Sequence, residues 1–179
     1  MPIRSVAIFC GSKTGKNPLF MAHAEELGKL LAANNIGVVY GGGNVGLMGK
    51  SADAVMSAGG RVQGVIPQVL MAWERQHTSI TELFVVNNMH ERKKMMYELC
   101  DAAIILPGGF GTLDELFEMV TWNQLSIHDK QIYILNSAGF YDHLLAHIRQ
   151  MQDEAFLYEA AMERLQTAED PAAIMRLLL

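Results

Sequence analysis

Short apolar runs alternate with longer amphipathic segments along most of the chain. The runs predict strands at Ser5–Phe9, Gly37–Tyr40, Val62–Ile66, Leu83–Val86, Ala102–Leu106 and Ile132–Leu135. The amphipathic segments predict helices at Phe20–Ala33, through Ala54–Met56, and at Met89–Cys100, Thr112–Ile127 and Tyr141–Met151. Strands without a polar face must be covered on both sides, so this order predicts a doubly wound α/β fold. We expect a single domain with a mostly parallel sheet, helices on both faces and a helical C-terminal tail after Asp153.

Composition narrows the class of protein. The chain has 179 residues, of which 50% are hydrophobic and 18% charged, so it can bury one sizeable core. Its net charge of −5 gives no global attraction to nucleic acid or to an anionic membrane. Cys10 and Cys100 lack metal-ligand spacing, which argues against a metal site or a disulfide framework and favours the cytoplasm. No targeting segment is visible, and the uncharged run Leu30–Gly49 contains too many glycines and asparagines for a membrane span.

Ligands of doubly wound folds bind beyond the carboxyl ends of the strands, which directs attention to three glycine-containing loops. The first, Cys10–Lys16, leads into a helix that Asn17 can cap and Pro18 can start. Its backbone amides could hold an anion, with Ser12 among the candidate binding residues. A flexible strand-to-helix turn explains the same residues equally well.

The second loop begins with Gly41, Gly42 and Gly43 and resembles two nucleotide motifs without matching either. The spacing of Gly41, Gly43 and Gly46 fits a dinucleotide fingerprint, but the loop follows the second strand and the acidic ribose ligand is missing. Asn44 stands where a P-loop requires glycine. The glycines could admit a ligand close to the backbone or only allow tight packing of strand and helix, and both interpretations stay open.

The third loop, Pro107–Glu115, has the sequence Pro-Gly-Gly-Phe-Gly-Thr-Leu-Asp-Glu and carries the sharpest signal. Its glycines deliver unpaired amides to the start of a helix, which favours an anion such as phosphate. The alternative is a capping box in which Thr112 and Glu115 satisfy each other's backbone donors. A capping box does not explain the entropic cost of the preceding glycines, so we favour a ligand loop.

A basic cluster opens the helix before this loop. Asn88 is the predicted cap, Glu91 stands at the capping-box position, and Arg92, Lys93 and Lys94 follow. Cations in a first helical turn oppose the helix dipole, so a bound anion would stabilise them. A solvated basic face is the alternative. We favour a shared anion site containing Arg92, whose planar guanidinium suits phosphate or carboxylate.

These motifs resemble the LOG ("Lonely Guy") family of cytokinin riboside 5′-monophosphate phosphoribohydrolases, which are also labelled lysine decarboxylases. The resemblance spans Ile3–Met151 and rests on four segments: the Gly41 loop through Gly49, Met89–Lys93, Pro107–Glu115 and Thr121–His128. It implies a Rossmann-like nucleotide-binding domain over residues 1–179, acting as a cytoplasmic homodimer without a cofactor or metal.

The resemblance also implies the chemistry and its residues. Arg92 and Glu115 would be the catalytic pair in the hydrolysis of a nucleoside 5′-monophosphate to free base and ribose 5-phosphate. The substrate site implied by the motif positions consists of Glu74, Arg92, Lys93, Gly109, Phe110, Gly111, Thr112, Leu113, Asp114, Glu115 and Thr121. A carboxylate facing the sugar stabilises an oxocarbenium-like transition state, while an arginine that stays protonated positions phosphate or ribose.

Two other functions remain as alternatives. A pyridoxal phosphate-dependent decarboxylase needs a Schiff-base lysine, and the glycine motif contains none, although Lys93 and Lys94 lie nearby. A nucleotide-binding regulatory module without turnover would use the same glycine loops. Glu115 argues against it, because a carboxylate beside a phosphate weakens binding and is useful only for catalysis.

Overall fold

The structure is a computed structural model that describes residues 2–71, 75–158 and 162–179. Its strands are β1 (Ser5–Phe9), β2 (Gly37–Tyr40), β3 (Val62–Pro67), β4 (Glu82–Val86), β5 (Ala102–Ile105), β6 (Gln131–Leu135) and β7 (Leu165–Ala168). They form one sheet in the order β4-β3-β2-β1-β5-β6-β7, and every pairing is parallel. The predicted doubly wound α/β fold is confirmed.

The helices follow the predicted alternation. They are α1 (Pro18–Ala33), α2 (Gly46–Ser57), α3 (Met89–Leu99), α4 (Phe110–Gln124), α5 (Asp142–Asp153) and α6 (Pro171–Leu178), with short 3₁₀ turns at Gln68–Leu70 and Ser137–Gly139. Asn17 caps α1 and Asn88 caps α3 through their side chains, as the sequence predicts. None of the described helices is long and apolar enough to cross a bilayer.

Two hydrophobic layers cover the sheet. Alternate residues of β1 belong to different layers. Val6 and Ile8 pack toward α1, α2 and α6, whereas Ala7 and Phe9 pack toward α3 and α4. Burial on both faces explains why the central strands show no polar alternation in the sequence.

The prediction for the C-terminal tail is wrong in part. Residues Leu165–Ala168 form edge strand β7, paired with β6 in the register Ile132↔Leu165, and only the following segment is helical. A four-residue strand with just one buried side chain has almost no local signal, so its pairing with β6 decides its conformation.

Strand order places the functional region. The chain moves outward from β1 to β4 and then returns to β5 on the other side of β1. The loops after β1 and β5 therefore diverge to opposite faces at their carboxyl ends and leave a crevice between them.

Candidate active site

A cavity of about 520 Å³ occupies this crevice. That volume lies within the range of small-molecule sites. Its wall includes Cys10–Gly15 after β1, Gly41 after β2 and Pro107–Thr112 after β5. The lining residues outside these loops are Ile8, Phe9, Phe20, Leu47, Met48, Leu70, Met89, Arg92, Met96, Asp114, Glu115 and Phe140.

Backbone hydrogen bonds join the three glycine loops. The amide of Gly11 donates to the carbonyl of Pro107 at 3.0 Å, and the amide of Leu47 donates to the carbonyl of Gly11 at 3.0 Å. Gly46 has a φ of +59°, and a Cβ there would lie 2.3 Å from the carbonyl carbon of Ser12. Glycine at position 46 therefore lets α2 contact the first loop directly, and together with these hydrogen bonds the contact joins the three loops into one wall.

Helix α4 begins at the cavity without a side-chain cap. Its N-cap residue is Gly109, so Thr112 already lies inside the helix and is buried. The capping-box interpretation of Thr112 and Glu115 is therefore wrong, because the helix begins three residues earlier than that motif requires. The first amides of α4 face the cavity region without a side-chain acceptor, and the helix dipole makes this end attractive to an anion.

The glycines of this third loop differ in whether the protein's own packing requires them. A Cβ at Gly108 would lie 2.1 Å from Oγ1 of Thr112, so internal packing requires glycine there. At Gly109 and Gly111 a Cβ would meet no protein atom within 4 Å, and neither residue has a positive φ. The protein's own packing does not demand glycine at these two positions, which leaves open space beside both residues.

Arg92 is a buried cation in the cavity wall. Its side chain extends from the first turn of α3 across the ends of two strands. Nε donates to the carbonyl of Val65 at 3.2 Å, and Nη2 donates to the carbonyl of Gly41 at 2.9 Å. The residue is 4% exposed. These carbonyl contacts fix the plane of the guanidinium and hold a positive charge next to the α4 N-terminus.

The structure separates the three basic residues of α3. Lys93 forms ion pairs with Asp114 and Glu118, each at 3.1 Å, and Lys94 lies 3.9 Å from Glu98 on the exposed surface. Of the three, Arg92 lines the cavity. Protein carboxylates rather than a ligand therefore offset the charges of Lys93 and Lys94.

The second glycine loop mainly serves packing. A Cβ at Gly41 would lie 1.9 Å from Nη2 of Arg92, so glycine there makes room for the guanidinium. Gly42 has a φ of +77° and accepts a hydrogen bond from the amide of His77, and Gly43 forms an antiparallel bridge with Gln76. Gly41 lines the cavity, whereas Gly42 and Gly43 are buried behind it.

Buried His77 anchors the segment beside this loop. Its Nδ1 accepts from the amide of Ser79 at 3.1 Å, so Nε2 carries the proton and donates to Asp53 at 3.0 Å. Sequence reasoning missed His77, because a lone histidine in a polar segment has no recognisable pattern. Glu74, a predicted site residue, lies outside the described residues.

The predicted site residues fall into two groups. Ser12, Arg92, Asp114, Glu115 and all four residues Gly109–Thr112 line one cavity. Lys93, Leu113 and Thr121 lie outside its lining: Lys93 is held by carboxylates, Leu113 packs into the hydrophobic layer, and Thr121 is exposed farther along α4.

An aromatic wall of the cavity was not predicted. Phe20 and Phe140 pack edge to face with ring centroids 5.4 Å apart, and the hydroxyl of Tyr141 donates to the carbonyl of Leu106 at 2.7 Å. Burial raises the pKa of Tyr141, so its hydroxyl stays a donor to this loop. Phe140 follows β6, so the expectation that ligands bind beyond the carboxyl ends of strands could have identified it.

Among the described residues, no three or more His, Cys, Asp or Glu side chains cluster as a metal site.

The fold and this cavity define a Rossmann-like α/β protein with a switch-point site suited to an anionic ligand. A family model described as "Possible lysine decarboxylase" matches residues 48–178. The chain is 45% identical over 175 residues to the probable cytokinin riboside 5′-monophosphate phosphoribohydrolase LOGL2 of Oryza sativa subsp. japonica, covering 98% of this chain and 72% of that protein. It is 42% identical over 168 residues to the cytokinin riboside 5′-monophosphate phosphoribohydrolase of Rhodococcoides fascians, covering 93% and 85%.

These matches establish the family: the chain belongs to the LOG family, whose model carries the lysine decarboxylase description. Among solved structures, it is similar to the molybdenum cofactor binding protein of Rippkaea orientalis, with a TM-score of 0.75, 21% identity and coverage of 99% and 96% of the two chains. At that identity the similarity concerns the fold alone.

Proposed function

We propose that this chain hydrolyses the N-glycosidic bond of a nucleoside 5′-monophosphate, either a cytokinin riboside 5′-monophosphate or AMP, with residues 1–179 acting as one nucleotide-binding domain. Water attacks C1′ of the ribose, the bond from C1′ to the base nitrogen breaks, and the base leaves with a proton. The observation that carries this proposal is that Arg92, Glu115 and the uncapped start of α4 line one cavity. The phosphoribohydrolases of rice and Rhodococcoides fascians support the reaction class.

The start of α4 suits the 5′-phosphate. The amides of Phe110, Gly111 and Thr112 lie at a helix N-terminus, and the open space at Gly109 and Gly111 lets phosphate oxygens approach them. The buried guanidinium of Arg92 adds a fixed positive charge to the wall of the same cavity. We therefore assign phosphate binding to this end of the cavity.

Glu115 then lies in position to act on the sugar. It stands in the second turn of α4, below the amides proposed to hold the phosphate, and lines the same cavity. A carboxylate there stabilises the positive charge that develops on the ribose ring and orients the attacking water. The planar guanidinium of Arg92 contributes electrostatically, by positioning phosphate or ribose.

The remaining predicted residues are proposed to contribute less directly. We assign Ser12, Phe110 and Asp114 to the rim of the site because they line the cavity. Gly42, Gly43 and Leu113 are proposed to act through packing. Glu74 and Thr121 remain proposals from the family motif.

Decarboxylation is the weaker proposal for this chain. A Schiff-base lysine must lose its proton easily, which requires a lowered pKa. Burial of Lys93 acts in that direction, but its hydrogen bonds to Glu118 and Asp114 outweigh burial and raise the pKa. Lys94 is 65% exposed. Neither lysine near the glycine motif therefore favours pyridoxal phosphate chemistry.

We further propose that the chain forms a homodimer through α4. Phe110, Phe117 and Leu125 recur at intervals of seven and eight residues, which places them on one face of the helical segment. They are 93%, 40% and 63% exposed. Such an apolar stripe beside a cavity mouth is typical of a surface that a second copy covers.

A cytoplasmic location is likewise a proposal. Cys10 and Cys100 are both buried thiols, and burial raises the pKa of Cys100 to about 11. Thiols kept neutral inside a core fit a reducing compartment.

A nucleotide panel tests the reaction. Purified protein is incubated with AMP, N6-isopentenyl AMP, GMP and CMP, and with the corresponding nucleosides, and ribose 5-phosphate and free base are quantified. We expect release from at least one purine monophosphate and little from its nucleoside. No release from any monophosphate overturns the proposal in favour of a binding module. Equal rates on AMP and adenosine overturn the phosphate assignment at α4.

A further inference from the structure

A charged network joins α3 to α4 at the edge of the cavity. Nζ of Lys93 lies 3.1 Å from Oδ2 of Asp114 and 3.1 Å from Oε2 of Glu118. The hydroxyl of Tyr97 donates to the same Glu118 oxygen at 2.7 Å. We call these four residues the α3–α4 clamp.

The clamp residues are neighbours of the two proposed catalytic residues. Lys93 directly follows Arg92 on α3, and Asp114 directly precedes Glu115 on α4. Arg92 and Glu115 both line the cavity, whereas Lys93 does not. The ion pair from Lys93 to Asp114 therefore links α3 and α4 next to the residues that carry the Arg92 and Glu115 side chains.

The electrostatics of the clamp suit a structural link better than a phosphate ligand. The side chain of Lys93 is only 14% exposed and that of Glu118 only 20%, so water screens their attraction less than at an open surface. Two carboxylates surround one ammonium group, which leaves a net negative charge there. A phosphate approaching Lys93 would be repelled by both carboxylates.

The rest of the clamp is also fixed. Burial and the hydrogen bond to Glu118 raise the pKa of Tyr97, so this phenol keeps its proton and remains a donor. Tyr97 itself packs edge to face against Phe9 of the central strand, with ring centroids 6.0 Å apart. The clamp is thereby anchored to the sheet as well as to the two helices.

We propose that Lys93 is a positioning residue, which bridges Asp114 and Glu118 to set the placement of Arg92 relative to Glu115 and does not bind the substrate's phosphate. This inference rests on the proposed hydrolysis. If two catalytic side chains are displaced by about 1 Å relative to each other, the reaction rate falls more than the affinity for the substrate does. The reason is that alignment matters most in the transition state.

The first experiment compares Lys93→Met, Lys93→Arg and the matched control Lys94→Met, whose lysine is exposed and pairs only weakly with Glu98. For Lys93→Met we expect kcat on the best monophosphate to fall roughly tenfold or more, with KM and inhibition by ribose 5-phosphate changed by less than about threefold. Lys93→Arg should recover most of the rate, since a guanidinium can bridge two carboxylates. Lys94→Met should match the wild type.

Two results would overturn the proposal. A raised KM and weakened ribose 5-phosphate inhibition with unchanged kcat would make Lys93 a phosphate ligand. A lower melting temperature with unchanged kcat and KM, measured well below the melt, would make it structural only. A double variant with Glu118→Gln adds a check: the losses in kcat should be smaller than the product of the single losses, because both changes break the same link.

Amide hydrogen exchange keeps the test separate from the proposed function. Lys93→Met should speed exchange in the first turns of α3 and α4, whereas Lys94→Met should not. If the wild type hydrolyses no nucleotide, the function fails, yet this exchange pattern still tests whether the clamp links the helices. Unchanged exchange in Lys93→Met would refute the clamp whatever the activity.

Discussion

Nη2 of Arg92 donates to the carbonyl of Gly41 at 2.9 Å, and the same atom lies 1.9 Å from the place that a Cβ on residue 41 would occupy. The first of the three consecutive glycines therefore makes room for a protein cation. The need for glycine at position 41 is therefore explained by Arg92, which lies on α3 and is distant in the sequence.

Gly41→Ala should consequently act like a substitution of Arg92. The added methyl group must displace the guanidinium, so we expect kcat/KM to fall roughly a hundredfold, the scale of losing an electrostatic group in the transition state. Gly37→Ala is the matched control at the start of the same strand, where a Cβ would meet only ordinary contacts, the nearest at 3.7 Å. Steady-state kinetics and melting temperature are measured for both. Full activity in Gly41→Ala would contradict the role given to Arg92.

The glycines after β5 make a prediction that separates packing from ligand binding. Gly111→Ala fills space that no protein atom uses, and alanine favours the helix, so the melting temperature should stay the same or rise while KM for the monophosphate increases. Gly108→Ala should instead lower the melting temperature by several degrees, because its Cβ would overlap Thr112. Thermal unfolding scans and KM values of both variants distinguish packing from ligand binding. An unchanged KM in Gly111→Ala would argue against phosphate binding at these amides.

Glu115→Gln tests the proposed chemistry directly. The substitution keeps the shape and removes the charge, so turnover should fall by roughly a hundredfold or more if the carboxylate stabilises the transition state. Because Glu115 lies inside α4 and not in a capping box, the melting temperature should change little. Glu98→Gln, on the exposed surface of α3, serves as the control. Retained turnover would remove Glu115 from the mechanism.

Asp101 makes the start of β1 sensitive to acid. Burial tends to raise its pKa, but hydrogen bonds from the amides of Arg4 and Ser5 outweigh burial and lower it. A lowered folded-state pKa stabilises the protein above the ordinary value of 3.8, and this contribution is lost as pH falls through the lowered pKa. Asp101→Asn should thus melt below the wild type from pH 7 to about 4, and the gap should narrow in stronger acid. Melting scans extended from pH 7 into acid well below the ordinary pKa of 3.8 would contradict the assignment if the gap stayed constant throughout.

The proposed dimer predicts a change of mass. Phe117→Asp places a charge in the apolar stripe of α4 and should yield monomers in light scattering at micromolar concentration. Leu177→Asp is the control, because Leu177 is equally exposed at 40% but lies on α6, which covers the other face of the sheet. A wild type that is monomeric, or a Phe117→Asp variant that stays dimeric, would refute the α4 interface.

The alternation of elements was predictable because it depends on short-range patterns. β1 to β6 and all five predicted helices appear near their expected positions, since their buried faces repeat with the period of each element. Asn17 and Asn88 were recognisable as caps because capping also depends only on neighbouring residues. The Pro107–Glu115 motif also pointed to a loop that lines the cavity, because glycines before a helix have a local physical meaning.

Long-range contacts determined the rest. Strand β7 exists because β6 offers it backbone partners, and no local pattern announces that pairing. Arg92 and Lys93 are adjacent cations in the sequence, yet one enters the cavity and the other pairs with Asp114 and Glu118 on α4. Successive side chains on a helix point about 100° apart, so which of them reaches a ligand and which reaches a neighbouring helix is decided only when the elements pack together.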